Sequence, residues 1–359
     1  MTKRILLSVV FSSMAAGGLL AADVSSLIYF DYTHDATEGG TSDGAFNFVR
    51  SYLTVTDKPA DNLAYRVQFD AGQLKSYTLA SGSTTRTDSD GDVVDVNTYS
   101  LSSADAGFYL YVKNACVDWS TDWGTWTLGV QPTNLNYTQD ATFGNRFVDL
   151  PLMDTHGFVS SADLGVRWGK DFGLLKASAM VANGGGYKKS ETDRFKKYSV
   201  NLSAGEQALA KKDGWNAGVA YSLEPFQAVE VEDRTVLGVF GGWAGMGARL
   251  GLEYDTKTTT GATDLVQTIL GVTANYKLPV AGLEAFFRLD LYDPNTDDVA
   301  DNAGTPLDES KNNETTILAG VKLSPVKGLV IAPNLRLTSY EDSDRDALTY
   351  YRVNFEFKI

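Results

Sequence analysis

Apolar and polar residues alternate with a period of two along most of this chain, and the alternation runs to its last residue. In the terminal segment Tyr351, Val353, Phe355, Phe357 and Ile359 are apolar, while Arg352, Asn354, Glu356 and Lys358 between them are polar or charged. The same pattern is clear at 63–70, 215–223, 248–255 and 283–292. Successive side chains of a β-strand point to opposite faces, so each segment reads as a strand with one apolar face. Long stretches with helical period are missing. About sixteen candidate strands begin near Val24, Ala45, Asn62, Gly107, Trp123, Ala162, Gly173, Lys196, Gly214, Arg234, Gly247, Asp264, Gly282, Glu314, Gly328 and Leu348, the weakest at 196–204 and 234–242. Lys113 breaks the alternation after Tyr109 and Tyr111, which predicts a β-bulge there.

Connection lengths alternate as well. DKPADN (57–62), STDWG (120–124), GKDFG (169–173), LPVAG (278–282) and SPVKG (324–328) are tight, whereas 81–106, 132–161, 184–195, 293–313 and 341–347 are longer and mostly polar. A rim of turns opposite a rim of loops is the arrangement of a transmembrane β-barrel. In hydrocarbon every backbone N–H and C=O has to be paired within the protein, and a closed barrel achieves this without edges. Its lipid face must be apolar and its interior can be polar, hence the period of two. A soluble sandwich also alternates, but it hides the apolar face between two sheets. Alternation to the chain end and loops sorted by rim favour the barrel over a secreted sandwich or solenoid. The expected fold is all-β: one transmembrane antiparallel barrel of about sixteen strands, occupying 23–359.

Residues 1–22 read as a secretory signal peptide. Lys3 and Arg4 precede the apolar stretch Ile5–Phe11 and a small-residue segment ending Leu20-Ala21-Ala22. Beyond it no run of 18 apolar residues exists, so no spanning helix is expected. The formal charge of −14 argues against a nucleic-acid partner. A single cysteine, Cys116, allows no internal disulfide, and the two histidines, His34 and His156, are far apart in sequence.

The polar phase of each strand should face the lumen, because Arg or Lys at the lipid midplane costs about 2–4 kcal/mol. That phase places Arg50, Arg66, Arg167, Lys176, Arg249, Arg288, Lys322, Arg336 and Arg352 inside, with Asp70, Glu253, Asp255, Glu284, Asp290 and Glu356. The remaining acidity sits largely in loops at 88–95, 293–301 and 341–346. Basic rings favour anions and acidic rings cations, and the arginine fork suits phosphate. The competing reading is that opposed rows merely brace the wall. Asp88, Asp90 and Asp92, like Asp293, Asn295 and Asp297, have the first spacings of a calcium loop but lack its glycine and terminal glutamate. No metal or cofactor is expected beyond weak calcium binding in these acidic loops. ANGGGYKK (182–189) is not a P-loop, YKKSETDRFKK (187–197) is locally basic, and no nucleophile motif supports an enzyme.

Several stretches carry a family resemblance: VRSYLTVTDKPADNLAYRVQFD (49–70), WTLGVQPTNLNYTQDATFGNRFVDLPLMDTHGFVSSADLGVRWG (126–169), LEAFFRLDLYDPNTD (283–297) and the terminal strand. Together they resemble the phosphate-selective porin family (O/P type) of Gram-negative outer membranes. The resemblance implies a sixteen-stranded trimeric pore whose long third external loop, here Pro132–Ser161, folds inward as a constriction. Arg146, Asp149, Asp154 and His156 would be its charged or titratable residues, with Phe143, Phe147 and Phe158 pinning it to the wall. The terminal Tyr351, Val353, Phe355, Phe357 and Ile359 are similar to the outer-membrane insertion signal read by the barrel-assembly machinery, although that signal commonly ends in Phe. The resemblance further implies an outer-membrane location, contact with lipid and lipopolysaccharide, and passive diffusion of small hydrophilic solutes with a preference for small anions such as phosphate. A general-diffusion or cation-preferring porin and a non-conducting structural or surface-binding barrel are the alternatives.

Overall fold

A computed structural model describes residues 22–40, 44–73, 76–87, 93–104, 108–191, 194–225, 231–261, 264–280, 282–297 and 312–359. The signal-peptide reading of 1–22 therefore falls almost entirely outside the described residues. In chain order the strands are β1 (Asp23–Asp35), β2 (Gly44–Ala60), β3 (Leu63–Gln73), β4 (Ser76–Thr87), β5 (Val93–Ala104), β6 (Phe108–Thr121), β7 (Gly124–Pro132), β8 (Ala162–Asp171) and β9 (Leu175–Ala182). They continue as β10 (Lys197–Gly205), β11 (Gly214–Pro225), β12 (Val231–Gly245), β13 (Ala248–Gly261), β14 (Leu265–Lys277), β15 (Leu283–Asp293), β16 (Glu314–Val326), β17 (Leu329–Tyr340) and β18 (Leu348–Lys358). Two short helices, α1 (Tyr137–Phe143) and α2 (Leu152–Thr155), lie between β7 and β8.

Sixteen of these strands form one closed antiparallel barrel. Each pairs with its neighbours in sequence, except that β3 pairs with β6 and β18 returns to β1. The seam uses the very end of the chain: Leu27 lies opposite Lys358, and Ser26 and Ile359 exchange backbone hydrogen bonds of 3.2 and 3.0 Å. Alternation running to the last residue is thus the requirement of closure. An open β18 would leave a row of unpaired backbone groups.

Two sequence expectations need correction or refinement. The stretch 81–106, read as a connection, contains most of a hairpin in which β4 and β5 pair with each other. Its strands, SYTLASGSTTRT and VVDVNTYSLSSA, are rich in Thr and Ser. Such residues suit a pleated backbone but leave no apolar phase to read. The two weakest segments are ordinary wall strands, β10 and β12. The bulge falls where expected: Phe69 pairs with Val112 and Gln68 with Asn114, leaving Lys113 as the extra residue.

The outer face is apolar. Trp119, Trp126 and Trp168 stand side by side on β6, β7 and β8, and Trp215 faces Trp243 across β11 and β12, all at the rim of short turns. Tyr221 is exposed nearer the other end of β11, six residues from Trp215 and roughly 20 Å along the strand at about 3.3 Å per residue. Aromatic residues bounding an apolar band of this height match the geometry of a membrane-embedded barrel. Among the described residues no helix is long and apolar enough to cross a membrane.

Candidate functional site

The lumen is obstructed from within by the segment 133–161. It docks on one half of the inner wall through two apolar clusters. In the first, Phe143, Phe147 and Val148 pack with Tyr29, Tyr52, Phe286, Leu318 and Ala332 of the wall. In the second, Leu135, Leu152, Met153, Phe158 and Val159 pack with Ala220, Val236 and Ile269. Room for them is made by glycines on the luminal phase of β12, β13 and β14. A Cβ at Gly271 would overlap Leu152, one at Gly238 would overlap Met153, and one at Gly251 would press on Thr142. From the short-turn rim the β10–β11 connection also reaches inward, burying Leu209 and bonding Ala210 N–H to the Ala141 carbonyl of α1 (3.1 Å).

Charge completes the docking. Arg288, 1% exposed, forks onto Asp290 with two bonds of 2.7 Å, donates to the Leu150 carbonyl (2.6 Å) and lies 3.5 Å from Asp149. Arg336 also bonds Asp149. Burial alone would raise the Asp149 carboxyl, but Arg288 and Arg336 outweigh it and hold the group below the usual carboxylate range. Arg249 donates to the Phe143 carbonyl (3.0 Å) and to Glu284 (3.1 Å), and Lys322 bonds Glu284 (3.0 Å) and Asn145 (2.8 Å). On the loop itself Arg146 bridges Asp140 (2.8 Å) and Asp154 (3.3 Å). His156 stacks on Tyr292 with ring centroids 4.1 Å apart, and burial lowers it to about 4.

All nine basic residues expected on the luminal phase lie there, but they do not form one lining. Arg288 is buried under the docked loop, and Arg249, also buried, borders only a small cavity of about 50 Å³ with Lys211, Lys212 and Glu284. The polar phase gives a side chain's face, not what covers it. Lys322 and Arg336 are likewise neutralised by acids. Arg50 lies 3.5 Å from Asp70, and Lys176 lies 3.7 Å from Asp171. Among the described residues Arg66, Arg167 and Arg352 have no carboxylate within salt-bridge distance. Arg167 is held instead by the Pro132 carbonyl (3.3 Å) and the Thr127 hydroxyl (3.2 Å).

Lys113 is the cation the alternation did not assign. The bulge turns it inward, where it is buried, donates to the Tyr52 hydroxyl (2.7 Å) and sits over that ring (4.6 Å). Its interruption of the outward phase was the available signal. Two cavities remain on the half of the lumen that the loop leaves open. One, of about 240 Å³, is lined by Arg66, Gln68, Lys113, Asn114, Asn136 and Arg146. The other, of about 380 Å³, is lined by Asp118, Thr127, Arg167, Lys176, Asn201 and Ser203. Both touch Pro132, Thr133 and Tyr137, so they meet along the stem of the loop.

On the outer face of the terminal strand Tyr351, Phe357 and Ile359 are exposed, and Phe355 stacks on Phe30 at 4.5 Å. The calcium-like residues Asp293 and Asn295 accept the backbone N–H groups of Asn295 (2.9 Å) and Asp297 (3.2 Å), the geometry of local turns. Asp88, Asp90 and Asp92 lie outside the described residues.

No family model matches the chain, and no curated protein matches it. Solved structures do. An anion-selective porin from Comamonas acidovorans superposes with a TM-score of 0.64 at 12% identity, covering 94% of this chain and 99% of that one. OmpF of Salmonella typhi, in complex with daunomycin, gives 0.62 at 13% identity over 94% and 97% of the two chains. The outer membrane channel DcaP of Acinetobacter baumannii gives 0.58 at 12% identity, again over 94% and 97%. The fold is therefore the sixteen-stranded barrel of the outer-membrane porins.

Proposed function

We propose that the chain is an outer-membrane porin, not an enzyme, that passes small hydrophilic solutes and prefers small anions, phosphate among them. The observation that carries the anion preference is the 240 Å³ cavity, whose lining sets Arg66, Lys113 and Arg146 against one carboxylate, Asp140, which Arg146 pairs at 2.8 Å. Low-dielectric walls focus the field of such charges on a passing ion. Arg167 continues the basic track into the second cavity. On the opposite half of the lumen Arg249, Arg288, Arg336 and Lys322 are paired with Asp149, Glu284 and Asp290, so the bracing reading applies to them and the selective reading here. The fold likeness to an anion-selective porin supports this reading. The porin fold and the lipid-compatible outer face support the outer-membrane location. A trimer form of one structural neighbour, OmpT of Vibrio cholerae, supports a homotrimer, and the N-terminal segment fits a signal peptide cleaved near Ala21 or Ala22.

The test is the zero-current potential of the refolded protein in planar bilayers under a KCl gradient. An anion-selective sign is expected, shrinking in Arg66→Gln and Lys113→Gln, with chloride current reduced by added phosphate. A cation-selective potential in the wild type overturns the anion preference. Absence of conductance leaves the non-conducting barrel.

A further inference from the structure

The glycine-rich, lysine-rich segment between β9 and β10 folds over the open half of the lumen. Asn183 N–H bonds the Leu164 carbonyl (3.0 Å), Gly184 N–H bonds Asp163 (2.7 Å) and Tyr187 N–H bonds the Ala162 carbonyl (3.0 Å), so the segment runs back over the start of β8. Two of its glycines have φ of +104° (Gly184) and +77° (Gly186), a region that disfavours side chains. A Cβ at Gly186 would also overlap Ser160 on the stem of the inward loop, and one at Gly184 would overlap Glu224. The chain thus needs both glycines to lie this close to the wall.

The tip reaches three strands further round. Tyr187 O–H donates to Asp70 of β3 at 2.9 Å. Asp70 is 2% exposed, and its other oxygen faces Arg50 at 3.5 Å. Lys113 lies 5.7 Å from the Tyr187 ring centroid, and Lys188 lies 5.4 Å from that of Tyr111 on β6. Arg50 and Lys113 both donate to the Tyr52 hydroxyl at 2.7 Å. The tip is therefore connected to Lys113, which lines the smaller cavity, and through Asp70 to Arg50, while Lys188 and Lys189 remain exposed.

We propose that residues 183–191 form a second gate, latched by Tyr187 on Asp70, which closes the mouth above the Lys113 cavity on the side that the segment 133–161 leaves open. The gate rests on the channel reading above. Its closed state is held by one hydrogen bond to a carboxylate and two cation–ring contacts, and it opens when these are released. The backbone bonds of Asn183 to Leu164 and of Gly184 to Asp163 serve as the hinge side, and the Tyr187 N–H bond to Ala162 is released with the latch.

The test is single-channel recording. In Tyr187→Phe, which keeps the ring but removes the donor, the closed-to-open ratio should fall by about tenfold or more, the change expected for loss of one hydrogen bond to a charged group. In a Cys116→Ser background, Lys188→Cys with Tyr111→Cys joined by a short bifunctional thiol reagent should hold the channel in its low-conductance state, while either single-cysteine protein treated alike should not. Heat-modifiable gel mobility reports whether each barrel is folded. Conductance and closures unchanged by both the Tyr187 variant and the cross-link overturn the gate and leave the channel reading standing. Absence of conductance in every folded protein, wild type included, overturns both.

Discussion

The two halves of the inner wall carry similar residues and use them differently. From β11 round to β1 the luminal phase bears glycines, a few apolar side chains and arginines, and Gly238, Gly271, Arg249, Arg288 and Arg336 all serve to hold the segment 133–161. From β2 to β10 it bears amides, hydroxyls and cations facing open cavities. What separates them is the partner on the lumen side. Where an apolar surface is offered next to an arginine, a loop with Leu152, Met153 and Asp149 covers both, and the charge becomes structural. Where no such apolar surface is offered, the loop leaves two cavities, and Arg66 and Arg167 line them. Arg288 and Arg66 occupy the same phase of the same barrel, yet the first is buried and only the second lines a cavity.

The largest effect should come from breaking the covered half. Arg288→Met leaves Asp290 and part of the Asp149 site buried without compensation, a loss of about 3–5 kcal/mol for a broken buried ion pair. Denaturant unfolding in detergent should show it, together with a rise in conductance as the loop undocks. Arg66→Met, on the open half, should change stability by less than about 1 kcal/mol. Equal costs for the two would erase the distinction drawn between the halves.

Next in size is the fit of loop to wall. Gly271→Val places methyl groups where Leu152 now sits, and overpacking of this kind costs about 1–3 kcal/mol. The barrel should still form, since the outward phase and the pairing with Asp290 of β15 are untouched. Limited proteolysis near Asp149–Leu152 should accelerate relative to wild type. A loop that stays protected would mean that the glycine row is not what admits it.

Ion selectivity sharpens the same comparison with a smaller energy. Arg66→Gln combined with Lys113→Gln should lower the anion-to-cation permeability ratio by about three- to tenfold, equivalent to roughly 0.7–1.4 kcal/mol. Lys322→Gln should shift the ratio by less than about twofold, because Glu284 already offsets that charge. Reversal potentials of the two variants, measured in the same gradient, decide whether location in the lumen or mere number of cations sets selectivity.

Much of this barrel was legible from alternation and from loops sorted by rim, because lipid on one side and water on the other impose a two-residue period on every wall strand. The luminal phase of the nine basic residues and the bulge at Lys113 followed from the same rule. The hairpin β4–β5 escaped it because Thr- and Ser-rich strands pair without an apolar phase. The split of the lumen escaped it too: which arginines a loop covers depends on contacts such as Leu152 against Gly271 and Phe147 against Tyr29, more than a hundred residues apart, and these leave no local trace. The inward path of 133–161 came from family resemblance, not from any feature of its own spacing. The stretch 187–197 reads only as locally basic, since nothing in GGGYKK announces that Tyr187 meets Asp70.

The smallest expected effect concerns pH and the edge of the docked loop. His156 lies against Tyr292, with Arg288, Asp290, Asp149 and Arg336 as its charged surroundings, and burial depresses it to about 4. Undocked, it would titrate near 6.5. Above that pH the ring is neutral in both states and docking is at full strength. As pH falls from about 6.5 to about 4 the undocked loop binds a proton that the docked one refuses, so docking weakens. Asp149 adds loss in the same direction only in and below the ordinary carboxylate range, because its folded form is the depressed one. Asp140 opposes both: burial, only partly offset by Arg146, raises it, so its protonation favours the docked loop as pH falls. The contribution of His156 is therefore isolated by difference. Single-channel noise between pH 6.5 and 4 should grow more in the wild type than in His156→Gln, whereas at lower pH the further weakening from Asp149 should be the same in both. Identical pH profiles across the whole range would show that the edge of the loop at Tyr292 carries none of the docking energy.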